Sequence, residues 1–166
     1  MRNAHIKERF GKKSTVGLIK RQKVSGSPAK YSQEAVAEVK DMLKEGVDYL
    51  GGMKRFVKPG NTVVLKVNSV YATPPESGWN VDPRLVEALV GLIKDEVPNV
   101  GKIIVADDSA AVKQLPDVDT VDVMVTNGIA QAAREDGAEV ICLEYDAHVR
   151  TTIQDARTFP YFECPK

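Results

Sequence analysis

Apolar residues along this chain switch between two periods. The run Thr15-Val16-Gly17-Leu18-Ile19-Lys20 is short and partly β-branched, and the cluster Ser25-Gly26-Ser27-Pro28 closes the region, which predicts a strand and then a loop. From Ser32 the period lengthens. Val36, Val39, Leu43, Val47 and Leu50 recur at spacings of three and four, predicting an amphipathic helix that Ser32 caps and Gly51-Gly52 ends. Val57-Lys58-Pro59-Gly60-Asn61 is turn chemistry, and Thr62-Val63-Val64-Leu65-Lys66-Val67 is a nearly continuous apolar strand of the kind buried on both faces of a parallel sheet. Asp82-Pro83 supplies an N-cap and a first helical residue, with Leu85, Val86, Leu89, Val90 and Ile93 as the stripe behind them. Lys102-Ile103-Ile104-Val105-Ala106 reads as a third strand, Ile129 to Arg134 as the end of a third helix, and Glu139-Val140-Ile141-Cys142-Leu143 as a fourth strand. Strand and helix alternate, so the expected fold is α/β: a mostly parallel sheet of about four strands, with helices on both faces. In the tail, Arg150 to Ile153 reads as a short strand. Pro160 and Pro165, set among aromatic residues, suggest a chain lacking its onward contacts and hence an incomplete domain.

Composition narrows the class without naming a chemistry. The chain has 166 residues, 43% hydrophobic and 28% charged, with 23 basic and 23 acidic side chains, which is ordinary globular usage. Such a length buries about 70% of the unfolded surface and needs no disulfide staple. The expected organisation is a basic flexible arm over residues 1–14 and one α/β domain over 15–166. No stretch matches a membrane span or a secretory leader, so a cytoplasmic protein without a membrane partner is expected. Charge is uneven: residues 1–24 carry eight Lys or Arg against one acid, a net of +7, leaving −7 for the remainder. That arm suits either an acidic partner or a solvated, frayed terminus. Only Phe10 interleaves it, so nucleic acid is the weakest of the partner readings. Cys142 and Cys164 are neither a CxxC pair nor near a His at ligand spacing, so this chain alone builds no zinc or iron-sulfur site.

Candidate chemistry follows from the sheet. Ligands of open parallel sheets sit beyond the carboxyl ends of the strands, where loops and helix N-termini converge. That rule selects Asn68 and Tyr71 after the second strand, Asp108 and Ser109 after the third and Glu144 after the fourth, with Lys66 as the neighbouring cation. Carboxylates, hydroxyls and a carboxamide on one rim suit a hard cation or a polar small molecule. The same residue types also cap helices and close turns, and a strand-end Lys also snorkels into water. Trp79 stacks on a ligand or anchors its own loop. No GxGxxG follows the first strand, and Gly51-Gly52 ends a helix and cradles no phosphate.

The stretch from Leu50-Gly51-Gly52 through Phe56-Val57-Lys58-Pro59-Gly60-Asn61 to Lys66-Val67-Asn68 resembles the opening of the family called domain of unknown function 362. The resemblance continues through Tyr71-Ala72-Thr73-Pro74-Pro75-Glu76, Asp82-Pro83, Asp107-Asp108-Ser109, Gly128-Ile129 and Gly137-Ala138-Glu139-Val140, over roughly residues 15 to 166. Lys66, Asn68, Asp108 and Ser109 match family positions. The family's His is replaced at Asp82, and the glycines of its Gly-Asp-Ser-Pro-Gly loop are absent. The resemblance implies an α/β domain often joined to a ferredoxin-like module with two four-iron clusters. It therefore implies a redox setting, a [4Fe-4S] cofactor only in a C-terminal continuation, and a chain that is the N-terminal part of a longer protein. The expected function is binding of a small polar substrate or cation at the strand ends. The alternative is a non-catalytic module for a small anionic ligand, and whether the chain is an enzyme stays open.

Overall fold

A computed structural model of the chain describes residues 16–20, 26–28, 30–109, 117–144, 148–152 and 161–165, the last two stretches as backbone alone. The basic arm, the segment 110–116 and the side chains of Phe159, Tyr161 and Phe162 lie outside the described residues.

The first helix, α1, spans Gln33–Tyr49, with Ser32 extended at its N-cap and Leu50 at its C-cap. Of its predicted face, Val36 is buried and Leu43 and Val47 pack against the core. The Lys58–Asn61 turn leads into strand β1, Thr62–Lys66. Helix α2, Pro83–Glu96, begins where Asp82-Pro83 predicts, because the Asp82 carboxylate accepts from the Arg84 backbone N–H. Strand β2, Lys102–Asp107, lies beside β1 in parallel register with Val63 opposite Ile103 and Leu65 opposite Val105. The turns entering β1 and β2 interlock: a Cβ on Gly101 would stand 2.7 Å from the Gly60 carbonyl oxygen, a separation only glycine permits.

The segment predicted as one third helix is two helices, α3 (Thr120–Thr126) and α4 (Ile129–Glu135). Asp119 and Asp122 form a reciprocal capping box that starts α3 despite its β-branched content. Gly128, at φ +82°, breaks the pair apart, and a Cβ there would press on Pro83 at 3.2 Å. Strand β3, Glu139–Cys142, then pairs in parallel with β2, Val105 opposite Val140. A separate antiparallel ribbon joins β4 (His148–Thr152) to β5 (Tyr161–Pro165).

The fold is α/β, and its parallel sheet has three strands in the order β1-β2-β3 where about four were expected. Residues 16–20 do not join it. They lie on α1: Gly17 approaches the Gly46 carbonyl, Ile19 packs at Gly46, and Val16 and Leu18 are exposed. Right-handed crossovers that step the same way across a sheet put their helices on the same face, and covering the other face needs a reversal of strand order. Accordingly Val63, Leu65, Ile103, Val105 and Val140 belong to the core beneath α2 and α4, while Val64 on the opposite face is 56% exposed. Each fully buried Val or Ile in that core, Val90, Ile93, Val105 and Ile129 among them, contributes about 1.5–3 kcal/mol.

Candidate strand-end site

Three parallel strands in consecutive order bring their carboxyl ends to one rim, so Lys66, Asp107, Asp108, Ser109 and Glu144 gather there. Asp107 is the pivot. Its side chain is 5% exposed; one oxygen pairs with the Lys66 ammonium and the other accepts from the Ser69 backbone N–H at 2.6 Å. The Ser69 hydroxyl in turn accepts from Asn127 Nδ2 at 2.9 Å, and Asn127 Oδ1 accepts from the Ile129 N–H that opens α4. A fully buried Asn and Ser thus tie the end of β1 to the α3–α4 junction.

The second and third strand ends are joined by another chain of bonds. Ser109, 1% exposed, donates from its hydroxyl to the Val70 carbonyl, and its backbone N–H donates to Thr120 Oγ1 at 2.8 Å. The Thr120 N–H donates to Glu144 Oε1 at 2.8 Å. Glu144 Oε2 is buried and has no hydrogen-bond partner among the described residues. Asp108 is exposed.

The residues predicted from the sequence therefore divide by role. Lys66, Asp108, Ser109 and Glu144 share the rim. Asn68 is turned into its own loop, donating from Nδ2 to the Trp79 carbonyl and accepting at its backbone oxygen from the Val81 N–H. Tyr71 meets Trp79 edge-on at 5.4 Å, and Trp79 is 61% exposed, so this pair braces the loop between β1 and α2. Asn80 does most of that bracing: Oδ1 accepts from the Val70 and Tyr71 N–H groups, and Nδ2 donates to the Tyr71 carbonyl and Thr73 Oγ1. Asn80, Thr120 and Asn127 were missed as structural residues of the rim. The Asn127-Gly128 dipeptide and the Asp119-x-x-Asp122 spacing were the signals that could have found two of them.

The Cys142 thiol, at the end of β3, is half-buried. Burial pushes its pKa up, the backbone N–H groups of Val121 and Thr120 draw it down, and Glu144 and Asp119 push it up further. Among the described residues no three His, Cys, Asp or Glu groups are close enough to hold a metal ion, and no helix is long and apolar enough to cross a membrane.

A family model described as domain of unknown function (DUF362) matches residues 63–166, more than half of the chain. The chain belongs to this family. No match was found among curated proteins or among solved structures. The DUF362 match opens on Val63, one residue into β1, and takes in every strand and every rim residue named above.

Proposed function

We propose that this DUF362 chain holds a small polar molecule at the carboxyl ends of β1, β2 and β3, the ligand being a hydrogen-bond donor such as an amino alcohol. The observation that carries this reading is the buried Glu144 Oε2, without a partner among the described residues, on the same rim as exposed Asp108. A carboxylate oxygen buried without a donor costs about 1–3 kcal/mol, and a ligand hydroxyl or ammonium would recover it. The alternative, an anionic ligand, has less support. Its only rim cation, Lys66, already serves Asp107 and the Val67 carbonyl among the described residues. The redox setting stands on the family resemblance. In that reading a ferredoxin-like module follows in the same protein, since Cys142 and Cys164 form no CxxC pair.

Titration of the isotopically labelled chain with ethanolamine, followed by amide NMR, tests the site. The expected result is saturable shifts at Asp108, Ser109, Thr120 and Glu144. Shifts confined to other surfaces, or none, would overturn the proposal. Reading the gene beyond Lys166 tests the redox setting: a CxxCxxCxxxCP run supports it, and its absence counts against it.

A further inference from the structure

Outside the rim, a cavity of about 440 Å³ opens between the starts of α1 and α2 and the helices α3 and α4. Its volume is in the range of small-molecule sites. Polar groups dominate the walls, among them Tyr31, Gln33, Thr126, Gln131 and Glu135. Glu87, from the second turn of α2, also lines it and is only 3% exposed. Both Glu87 oxygens are engaged, yet among the described residues by neutral donors alone: the Tyr31 hydroxyl at 2.9 Å and Gln33 Nε2 at 2.9 Å.

A buried carboxylate ordinarily has a cation beside it, because leaving water costs several kcal/mol per ion. Glu87 takes part in none of the ion pairs among the described residues. Arg84, one turn earlier on the same helix, directs its guanidinium to Asp82 and to the Gly26 carbonyl. Lys30 lines the cavity but is exposed and makes no ion pair with Glu87. The surrounding field is acidic: burial, then the bond to Glu87, then the charges of Glu87, Asp82 and Glu135 together hold the Tyr31 phenol well above its ordinary pKa of 10.0. A carboxylate accepting two bonds retains lone pairs for a third donor.

We propose that this cavity is a second binding site, separate from the strand-end rim, and that it takes a small organic cation bearing a primary ammonium group, which Glu87 neutralises. Glu135 adds to the attraction, and the Gln131 and Thr126 side chains supply polar contacts to the rest of the ligand. The site requires both charge and donor capacity, so a neutral alcohol of the same shape is excluded.

Calorimetric titration of the full chain with butylammonium chloride, and separately with 1-butanol, tests this. Butylammonium is expected to bind saturably in the millimolar range with one site, and 1-butanol not to bind. Glu87→Gln is expected to weaken butylammonium by about tenfold or more. That variant keeps both hydrogen bonds, since the new amide oxygen accepts from Gln33 and the new amide nitrogen donates to Tyr31. Gln131→Lys, at an exposed position of α4, places an ammonium in the cavity; it is expected to abolish butylammonium binding and to raise the urea midpoint. Failure of butylammonium to bind, equal binding of the alcohol, or unchanged binding by Glu87→Gln or Gln131→Lys would each overturn the proposal.

Discussion

Asp107 and Glu87 are both buried acids, 4% and 3% exposed, and both accept two hydrogen bonds, but the fold treats their charges differently. Asp107 ends a strand, next to a parallel neighbour whose last residue is Lys66, so its charge is met within the chain while its second oxygen fixes the Ser69 N–H. Glu87 sits inside a helix and, among the described residues, receives only a phenol and a carboxamide from the α1 side. The first acid is part of the scaffold. It holds the end of β1 in place beside the rim that carries Asp108 and the Glu144 oxygen left unpartnered among the described residues. The second is a charge held ready for an outside partner. Burial alone does not separate the two, and the identity of the donors does.

The sharpest way to break this contrast is to remove the scaffold acid. Asp107→Ala strips Ser69 of its acceptor and is expected to lower stability by about 3 kcal/mol in urea unfolding. Asn127→Ala removes the next bond outward and leaves a cavity at a fully buried position, with an expected loss of about 2 kcal/mol. Lys66→Met sharpens the contrast from the other side. Its ammonium end is largely solvated, the side chain being 61% exposed, but its removal leaves the buried Asp107 carboxylate without that cation, so a loss of about 1–2 kcal/mol is expected, below that of Asp107→Ala. If Lys66→Met proved as damaging as Asp107→Ala, the ion pair and not the Ser69 bond would be the main support.

Tyr31 reports on the second acid. Its phenol pKa is raised in the folded chain, so the folded state keeps its proton when the unfolded state has begun to lose it. This contribution to stability is therefore complete below the ordinary phenol pKa of 10.0 and declines as pH rises above it. Ultraviolet titration should show one tyrosine ionising later than the others, and Glu87→Gln should bring it back toward the ordinary value. An unmoved Tyr31 in that variant would separate the phenol from Glu87.

Much of this was legible in the sequence, and the gaps have physical causes. The Asp82-Pro83 start of α2, the β1 and β2 runs and the gathering of Lys66, Asp108, Ser109 and Glu144 at one end all follow from local pattern and the strand-end rule. Burial of β1 on both faces was overread. Apolar continuity shows what a strand tolerates, whereas the 1-2-3 order decides which face is covered, and that order is not local. Val16 to Lys20 looked like a strand because a short, apolar, partly β-branched run has that signature whether it pairs in a sheet or lies on a helix. Glu87 was invisible as a site residue. No local pattern marks it: Leu85 of the apolar stripe is exposed, while Glu87 is covered by Tyr31, 56 positions away. Asn127 was not singled out because its partner Ser69 lies 58 positions away, and Asn80 because its bonds to Val70, Tyr71 and Thr73 form only when its own loop closes.

The central claim, that one buried acid is neutralised within the fold and the other is not, is tested most directly by measuring the urea midpoints of Asp107→Asn and Glu87→Gln side by side. Each replacement removes charge and little volume. Asp107→Asn is expected to lose about 1–2 kcal/mol, because a charge-assisted bond to a buried N–H and an ion pair are weakened together. Glu87→Gln is expected to stay within about 0.5 kcal/mol of the parent chain or to exceed it, because an uncompensated buried charge is relieved. Equal losses in the two variants, or a greater loss for Glu87→Gln, would contradict the account.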